Sequence, residues 1–259
     1  MKNIEKALQQ VYEVVLESNV KQDIEYFNFH KKRYLRMAES LGEIDGTGKV
    51  VLDIGSHYLH SSLLLQFLGY EVYSMDVAEF WDLDFIKERK TKFNLRSITE
   101  NNLESFESHA NIDNKYDIIL FTEILEHITF NPIHFWKRMH TIVKPNGLIY
   151  ISTPNSLNLF GVLRTIGRIF TFRGIGIPID AIFTNVTYGH HWKEYSAKEA
   201  IKYFSLLSDD FKLKIKKYHY RKESLLSAIG NRTGFLAEEL EIFVRVQKTN
   251  SWKIKPPVY

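Results

Sequence analysis

The sequence predicts an α/β protein built on a doubly wound, mostly parallel sheet of seven strands with an antiparallel edge strand. Three observations carry this. Apolar runs of strand length recur at Val50 to Ile54, Glu71 to Met75, Phe93 to Ile98, Tyr116 to Phe121 and Leu148 to Ser152. Helix-like patterns lie between most of them, which gives parallel strands joined by crossover helices that cover both faces of the sheet. Two late segments, Phe211 to Tyr220 and Leu240 to Thr249, alternate like strands and supply the antiparallel edge.

Residues 2 to 42 read as two helices ahead of the first strand. Asn131-Pro132 starts a helix, with Asn as N-cap and Pro at the first helical position, and Pro145-Asn146-Gly147 stops it after HFWKRMHTIV. Ser196-Ala197-Lys198-Glu199 is a capping box before the helix AIKYFSLL. Between Ser156 and Gly189 lies a long insertion whose first half carries apolar residues at helical spacing, with Arg164 and Arg168 its only charges. Long insertions in compact domains are often functional, so a lid is expected, with Phe160, Phe170, Phe172 and Phe183 as pocket walls. The expected organisation is one domain: N-terminal helices (1–45), a cofactor-binding core (46–155), the lid (156–192), and a C-terminal helix and strands (193–259).

At 259 residues with 44% hydrophobic content the chain can bury a large core, and no run of 18 apolar residues predicts a transmembrane span. Cysteine is absent, which removes disulfides, thiolate nucleophiles and zinc-thiolate sites. A net charge of +3 is too weak to point to nucleic acid, although KLKIKKYHYRK (212–222) is a modest basic stretch. The N-terminus mixes charges through an amphipathic pattern unlike a secretory signal, so a cytoplasmic protein is expected.

Ligands of open parallel sheets bind beyond the carboxyl ends of the strands, so the residues there matter most. After the first strand come Asp53, Gly55 and Ser56, and the second ends in Asp76. The third leads to Asn101-Asn102-Leu103, and the fourth ends in Phe121-Thr122-Glu123. An acidic residue closing the second strand can accept from both ribose hydroxyls, and an Asn or backbone amide after the third can address an adenine edge. The constellation suits an adenosine. Further on, Glu123-Ile-Leu-Glu126-His127 would bring two carboxylates and an imidazole onto one helix face, a donor set for a hard or borderline divalent ion.

VLDIGS, YSMD, YDIILFTEILEHI and KPNGLIYISTPN together resemble the class I S-adenosylmethionine-dependent methyltransferases over roughly residues 48 to 155, and GHHWKEYSAKEA resembles a later segment of that family. The resemblance implies a Rossmann-like fold and S-adenosylmethionine as cofactor. It implies that Gly55 and its neighbours approach the methionine part, Asp76 the ribose and Asn102 the adenine. The family pattern would have glycines near 57 and 59; here stand His57 and Leu59, whose β-carbons resist positive φ. His57 is a candidate hydrogen-bond donor to the cofactor's carboxylate.

The E-x-x-E-H arrangement resembles both ubiquinone-biosynthesis O-methyltransferases and small-RNA 2′-O-methyltransferases. In the latter a further histidine completes a magnesium site, and His190 or His191 occupies the comparable place. The expected activity is methyl transfer to a hydroxyl of a small molecule, a sugar or a phenol. A magnesium or manganese ion on Glu123, Glu126, His127 and His190 would activate that hydroxyl, or else His127 or His191 would act as general base. An RNA 2′-O-methyltransferase and a non-catalytic binding module are the alternatives. His134 and His140, on the helix after Asn131, are expected to be surface or packing residues.

Overall fold

The computed structural model describes residues 2–42, 48–172, 176–177, 179–184, 189–219, 225–234 and 236–254. Its seven-stranded sheet has the order β3-β2-β1-β4-β5-β7-β6. The chain divides into two compact units, Met1–Leu120 with Thr141–Gly147, and Phe121–His140 with Leu148–Tyr259. The divisions fall near the end of one sheet strand and inside another.

The first unit holds β1 (Val50–Ile54), β2 (Glu71–Asp76) and β3 (Arg96–Thr99), paired in parallel with Val50 opposite Glu71 and Tyr73 opposite Arg96. Val51, Leu52 and Ile54 are buried, as befits a strand covered on both faces. α1 (Lys2–Glu17) buries Ala7, Leu8, Val11, Val14 and Val15, one stripe at helical spacing. α2 (Lys21–Leu41) buries Phe27, Met37, Ala38 and Leu41, and with them Asp23. That carboxylate is compensated: the Arg89 guanidinium of α5 (Asp84–Lys92) donates to it, and so does His60 Nε2, at 2.8 Å, from α3 (His60–Phe67). Removing one partner of a buried charge so held would leave the other uncompensated, which is strongly destabilising.

Strand β3 begins three residues later than the apolar run suggested. Phe93 still donates its N–H to Arg89 O at 3.0 Å, and Asn94 then reverses the chain in a left-handed conformation (φ 49°). Local helix closure outweighs the β propensity of Phe93. α4 (Ala78–Trp81) follows β2.

In the second unit, α6 (Ile133–Ile142) starts where the sequence placed it: Ile133 N–H donates to Asn131 Oδ1 at 3.2 Å. β4 (Tyr116–Thr122) and β5 (Val143–Pro154) each have residues in both units; β5 is longer than predicted, because extended structure resumes directly after the helix. Gly147 has its own reason, since a β-carbon there would lie 2.7 Å from Val143 Cγ2 and 2.9 Å from Lys144 O. β7 (Glu239–Val246) runs antiparallel to both β5 and β6 (Phe211–Tyr218), with Ile151 opposite Ile242 and Ile215 opposite Ile242 on its other side. The expected antiparallel character is therefore concentrated at this end, with β7 as the reversed strand and β6 at the rim. α9 (Ala197–Leu207) has the predicted capping box, Glu199 N–H to Ser196 Oγ at 3.3 Å and Ser196 N–H to Glu199 Oε2 at 2.9 Å. His140 is a packing residue, its Nε2 2.8 Å from Asp210 Oδ2; His134 is exposed.

The insertion contains α7 (Leu159–Phe170), capped by Asn158, and α8 (Ile179–Thr184); α10 (Leu225–Thr233) precedes β7. Phe160, Phe170, Phe172 and Phe183, expected as pocket walls, are exposed instead. Of the basic stretch 212–222, residues 220–222 lie outside the described residues. Among the described residues no helix is long and apolar enough to cross a membrane.

Candidate functional site

In the first unit the turn after β1 adopts the backbone that glycines would allow, without the glycines. Gly55 (φ 68°), His57 (φ 47°) and Leu59 (φ 68°) all lie in the left-handed region. For the two L-residues this costs on the order of 1 to 2 kcal/mol each. Both are held by their surroundings. His57 N–H donates to Asp76 Oδ2 at 2.6 Å, and its ring stands among Tyr26, Tyr58 and Phe80 with centroids 4.4, 3.8 and 4.4 Å away. Leu59 is fully buried and its N–H reaches Ser56 O at 2.8 Å.

The surroundings also decide the charge of His57. Burial, and after it the neighbouring His60, pushes its pKa down to about 3, so the imidazole is neutral. The salt-bridge form of the expected contact with a cofactor carboxylate is closed to it; its buried Nδ1 makes no hydrogen bond.

Two carboxylates line the ends of β1 and β2. Asp76 accepts one backbone N–H on each oxygen, from His57 and from Val77 (2.8 Å), and each oxygen keeps a lone pair. Asp53 accepts on Oδ2 from Ser61 Oγ (2.6 Å) and Ser62 Oγ (2.7 Å), while its fully buried Oδ1 has no partner. Burial raises both to about 6. An orphaned buried carboxylate oxygen asks for a cationic donor, and a half-used one at the end of β2 asks for hydroxyls. The ammonium and ribose diol of S-adenosylmethionine meet both demands, so these residues fit the cofactor.

After β3 the picture is different. Asn102 is exposed, its N–H donates to Glu100 Oε1 at 2.9 Å, and its Oδ1 accepts from Glu104 N–H at 2.9 Å. The groups expected to meet adenine are thus used to shape the loop, beside a half-buried Leu103.

In the second unit, β4 ends in half-buried Thr122 and the chain does not enter an α-helix. Glu123 turns left-handed (φ 54°), accepts from Ser152 Oγ at 2.9 Å, and is followed by one 3-10 turn over Leu125–His127. The spacing that would put Glu123 with Glu126 and His127 is lost. The donor atoms that do converge belong to Glu126, His127 and His191, within 4.8 Å of one another. His191 thus stands in this group, whereas the ring of His190 is buried near Trp192 and its backbone carbonyl faces His127.

Glu126 is fully buried, with Thr153 Oγ1 donating to Oε2 at 2.8 Å and Oε1 unpartnered. Burial, and the Glu123 charge after it, pushes its pKa up to about 8. Its backbone carbonyl accepts from Trp192 N–H (2.8 Å) and Lys193 N–H (3.2 Å). His127 Nδ1 lies 3.0 Å from His190 O; a carbonyl only accepts, so Nδ1 carries the proton and Nε2 carries the lone pair, 3.9 Å from Glu126 Oε1. Burial and then His191 lower the His127 pKa. His191 is raised by its 3.0 Å bond to Glu194, a partner that E-x-x-E-H gave no hint of. A cavity of about 380 Å³ adjoins this group, lined by Arg164, Thr165 and Arg168 of α7 together with His190, His191 and Lys193.

The carboxylates of Asp53 and Asp76 thus fit the ammonium and the diol of an adenosyl amino acid. The chain belongs to the methyltransferase domain family, whose model matches residues 25–211, and it is an S-adenosylmethionine-dependent methyltransferase. It is 31% identical over 121 residues to the mitochondrial ubiquinone biosynthesis O-methyltransferase of Dictyostelium discoideum; the match covers 45% of this chain and only about a third (34%) of that relative. Among solved structures, a SAM-dependent methyltransferase from Archaeoglobus fulgidus has a TM-score of 0.54 at 17% identity, over 85% of this chain and 99% of that one. A SAM-dependent methyltransferase from Thermotoga maritima, described as a possible histamine N-methyltransferase, has a TM-score of 0.54 at 13% identity, over 91% and 99%. At these identities the structures speak for the fold alone.

Proposed function

We propose that this methyltransferase acts on a hydroxyl of a small molecule and that His127 is the general base. The observation that carries the reading is the His127 Nδ1–His190 O bond, which leaves Nε2 unprotonated and able to take a proton. When bound, the cofactor supplies an electrophilic methyl group. Asp53 holds its ammonium, Asp76 its ribose hydroxyls, and the turn from Gly55 to Leu59 lets the chain approach it. His127 Nε2, its lone pair free, takes the proton of the acceptor hydroxyl, and protonated Glu126 keeps a second anion away from His127. General bases of this kind contribute roughly 10²- to 10⁴-fold. The likeness to the ubiquinone O-methyltransferase of Dictyostelium supports an oxygen acceptor, phenol or sugar.

The test is methyl transfer from labelled cofactor to a panel of catechols, sugar nucleotides, amines and an RNA oligonucleotide. Label on hydroxylated small molecules, lost in His127→Ala with S-adenosylhomocysteine affinity retained, supports the reading. Label on amines or RNA refutes it.

A second reading rests on the convergence of Glu126 Oε1, His127 and His191. Two imidazoles and a carboxylate with an unused oxygen fit a magnesium or manganese ion, which would lower the pKa of an acceptor hydroxyl. Manganese titration followed by electron paramagnetic resonance, on wild type and Glu126→Gln, reads this apart from turnover. No bound manganese in the wild type removes the metal and leaves the histidine base.

A further inference from the structure

We infer that the cavity beside α7 is the subsite for the methyl acceptor and that it takes an oxyanion, a phosphate or carboxylate group of that molecule, at Arg164 and Arg168. The inference rests on the proposed methyl transfer to a small molecule and adds a charge to its acceptor. The side of α7 that lines the cavity carries Gly161, Arg164, Thr165 and Arg168, spaced three and four residues apart and so on one helix face. Two guanidinium groups one turn apart repel each other, which a helix bears at a cost unless an anion answers them. Among the described residues, Arg164 has no hydrogen-bond or ion-pair partner. Arg168 donates one N–H to the Gly176 carbonyl at 2.6 Å, which holds its head in place without neutralising it. The other charged groups of the wall are already paired: Glu194 with His191 at 3.0 Å, and Lys193 with Glu199 at 2.6 Å.

Charge, shape and position agree on one kind of ligand. A guanidinium presents its N–H groups as a planar fork that matches two oxygens of a carboxylate or phosphate. A cleft whose uncompensated charges are of one sign concentrates ligands of the other. The cavity, at about 380 Å³, has the size of a small-molecule site, which runs from roughly 300 to 1,000 Å³. His191 stands in the same wall, its ring centroid 4.9 Å from that of His127, so a molecule anchored by the arginines lies beside the histidine pair. A neutral catechol or free sugar would leave both arginines uncompensated; an acidic phenol or a sugar phosphate would not.

The test compares pairs of compounds that differ by one anionic group: glucose 6-phosphate with glucose, and protocatechuate with catechol. In calorimetry on the full chain saturated with S-adenosylhomocysteine, the charged member of at least one pair should bind roughly tenfold or more tightly than its neutral partner. Which pair shows the difference tells whether the site takes phosphate or carboxylate. Arg164→Gln alters an exposed side chain with no partner in the fold, so it should weaken the charged compound roughly tenfold while the neutral compound, S-adenosylhomocysteine affinity and the circular dichroism spectrum stay unchanged. No binding of either charged compound, equal affinity within both pairs, or an unaltered Kd in Arg164→Gln overturns the inference. So does an RNA oligonucleotide that binds through Arg164 more tightly than either charged compound, which would make this a nucleic-acid surface. Because binding is read apart from turnover, the two proposals fail separately. A charged compound held through Arg164 that takes no label on its hydroxyl keeps the anion site and removes the hydroxyl reading; equal labelling of charged and neutral acceptors with no difference in Kd does the reverse.

Discussion

Replacing Asp53 with Asn separates what this carboxylate does for the cofactor from what it costs the fold. Burial lifts its pKa from 3.8 to about 6, even though Ser61 and Ser62 both donate to Oδ2. The folded state therefore holds the proton more tightly than the unfolded chain does. The penalty is absent below about pH 3.8, grows between there and about pH 6, and is complete above. A difference of about two pH units, at about 1.4 kcal/mol each, amounts to roughly 3 kcal/mol at neutral pH. Asp53→Asn carries no such charge, so without cofactor it should melt several degrees above wild type at pH 7.5, at about 2 to 4 °C per kcal/mol. The gap should close by pH 4.

Calorimetry with S-adenosylhomocysteine should show the opposite sign. Losing a charge-assisted bond from Oδ1 to the ammonium costs about 1.5 to 3 kcal/mol, or roughly 10- to 150-fold in Kd. A melting difference that does not vary with pH refutes the buried-charge account. An unchanged Kd refutes the assignment of Oδ1 to the ammonium.

Asp76→Ala removes the acceptor for the ribose and for His57 N–H together, so binding of S-adenosylhomocysteine should be lost in the same calorimetric assay. Because burial raises the Asp76 pKa to about 6 and hydroxyls donate to its ionised form, wild-type affinity should fall as pH drops through 6, and a flat profile between pH 7.5 and 5 would contradict this. His57→Gly relieves a left-handed residue at about 1 to 2 kcal/mol but empties the ring's place among Tyr26, Tyr58 and Phe80, so urea unfolding should show net destabilisation with affinity for the cofactor largely kept. In His127→Asn, which keeps a donor toward His190 O, turnover should fall about 100-fold or more while Kd for S-adenosylhomocysteine stays put.

Periodicity made most of the sheet legible. Apolar runs bounded by charged turns marked β1, β2 and β4 to within a residue or two, and Asn131 and Ser196 announced their helices through side-chain caps. β3 was misjudged because Phe93 carries β propensity while its N–H completes a helix. Asp53 and Asp76 could be found because their place at strand ends is fixed by the chain's order. The local geometry around Glu126 was not legible, because spacing arguments assume a helix and the left-handed Glu123 breaks it. Nothing local told His190 from His191; the backbone bonds of Trp192 and Lys193 to Glu126 settle which ring turns toward the carboxylate and which lends its carbonyl.

That borrowed carbonyl makes the base conditional. His127 is aligned by an atom at the far end of the insertion, on a segment fastened to Glu126 by two amide hydrogen bonds. If residues 189–193 peel away, His127 loses its tautomer, His191 leaves, and Glu126 is uncovered in one motion. Under the proposed mechanism, proton removal would therefore depend on a segment remote in sequence staying in place.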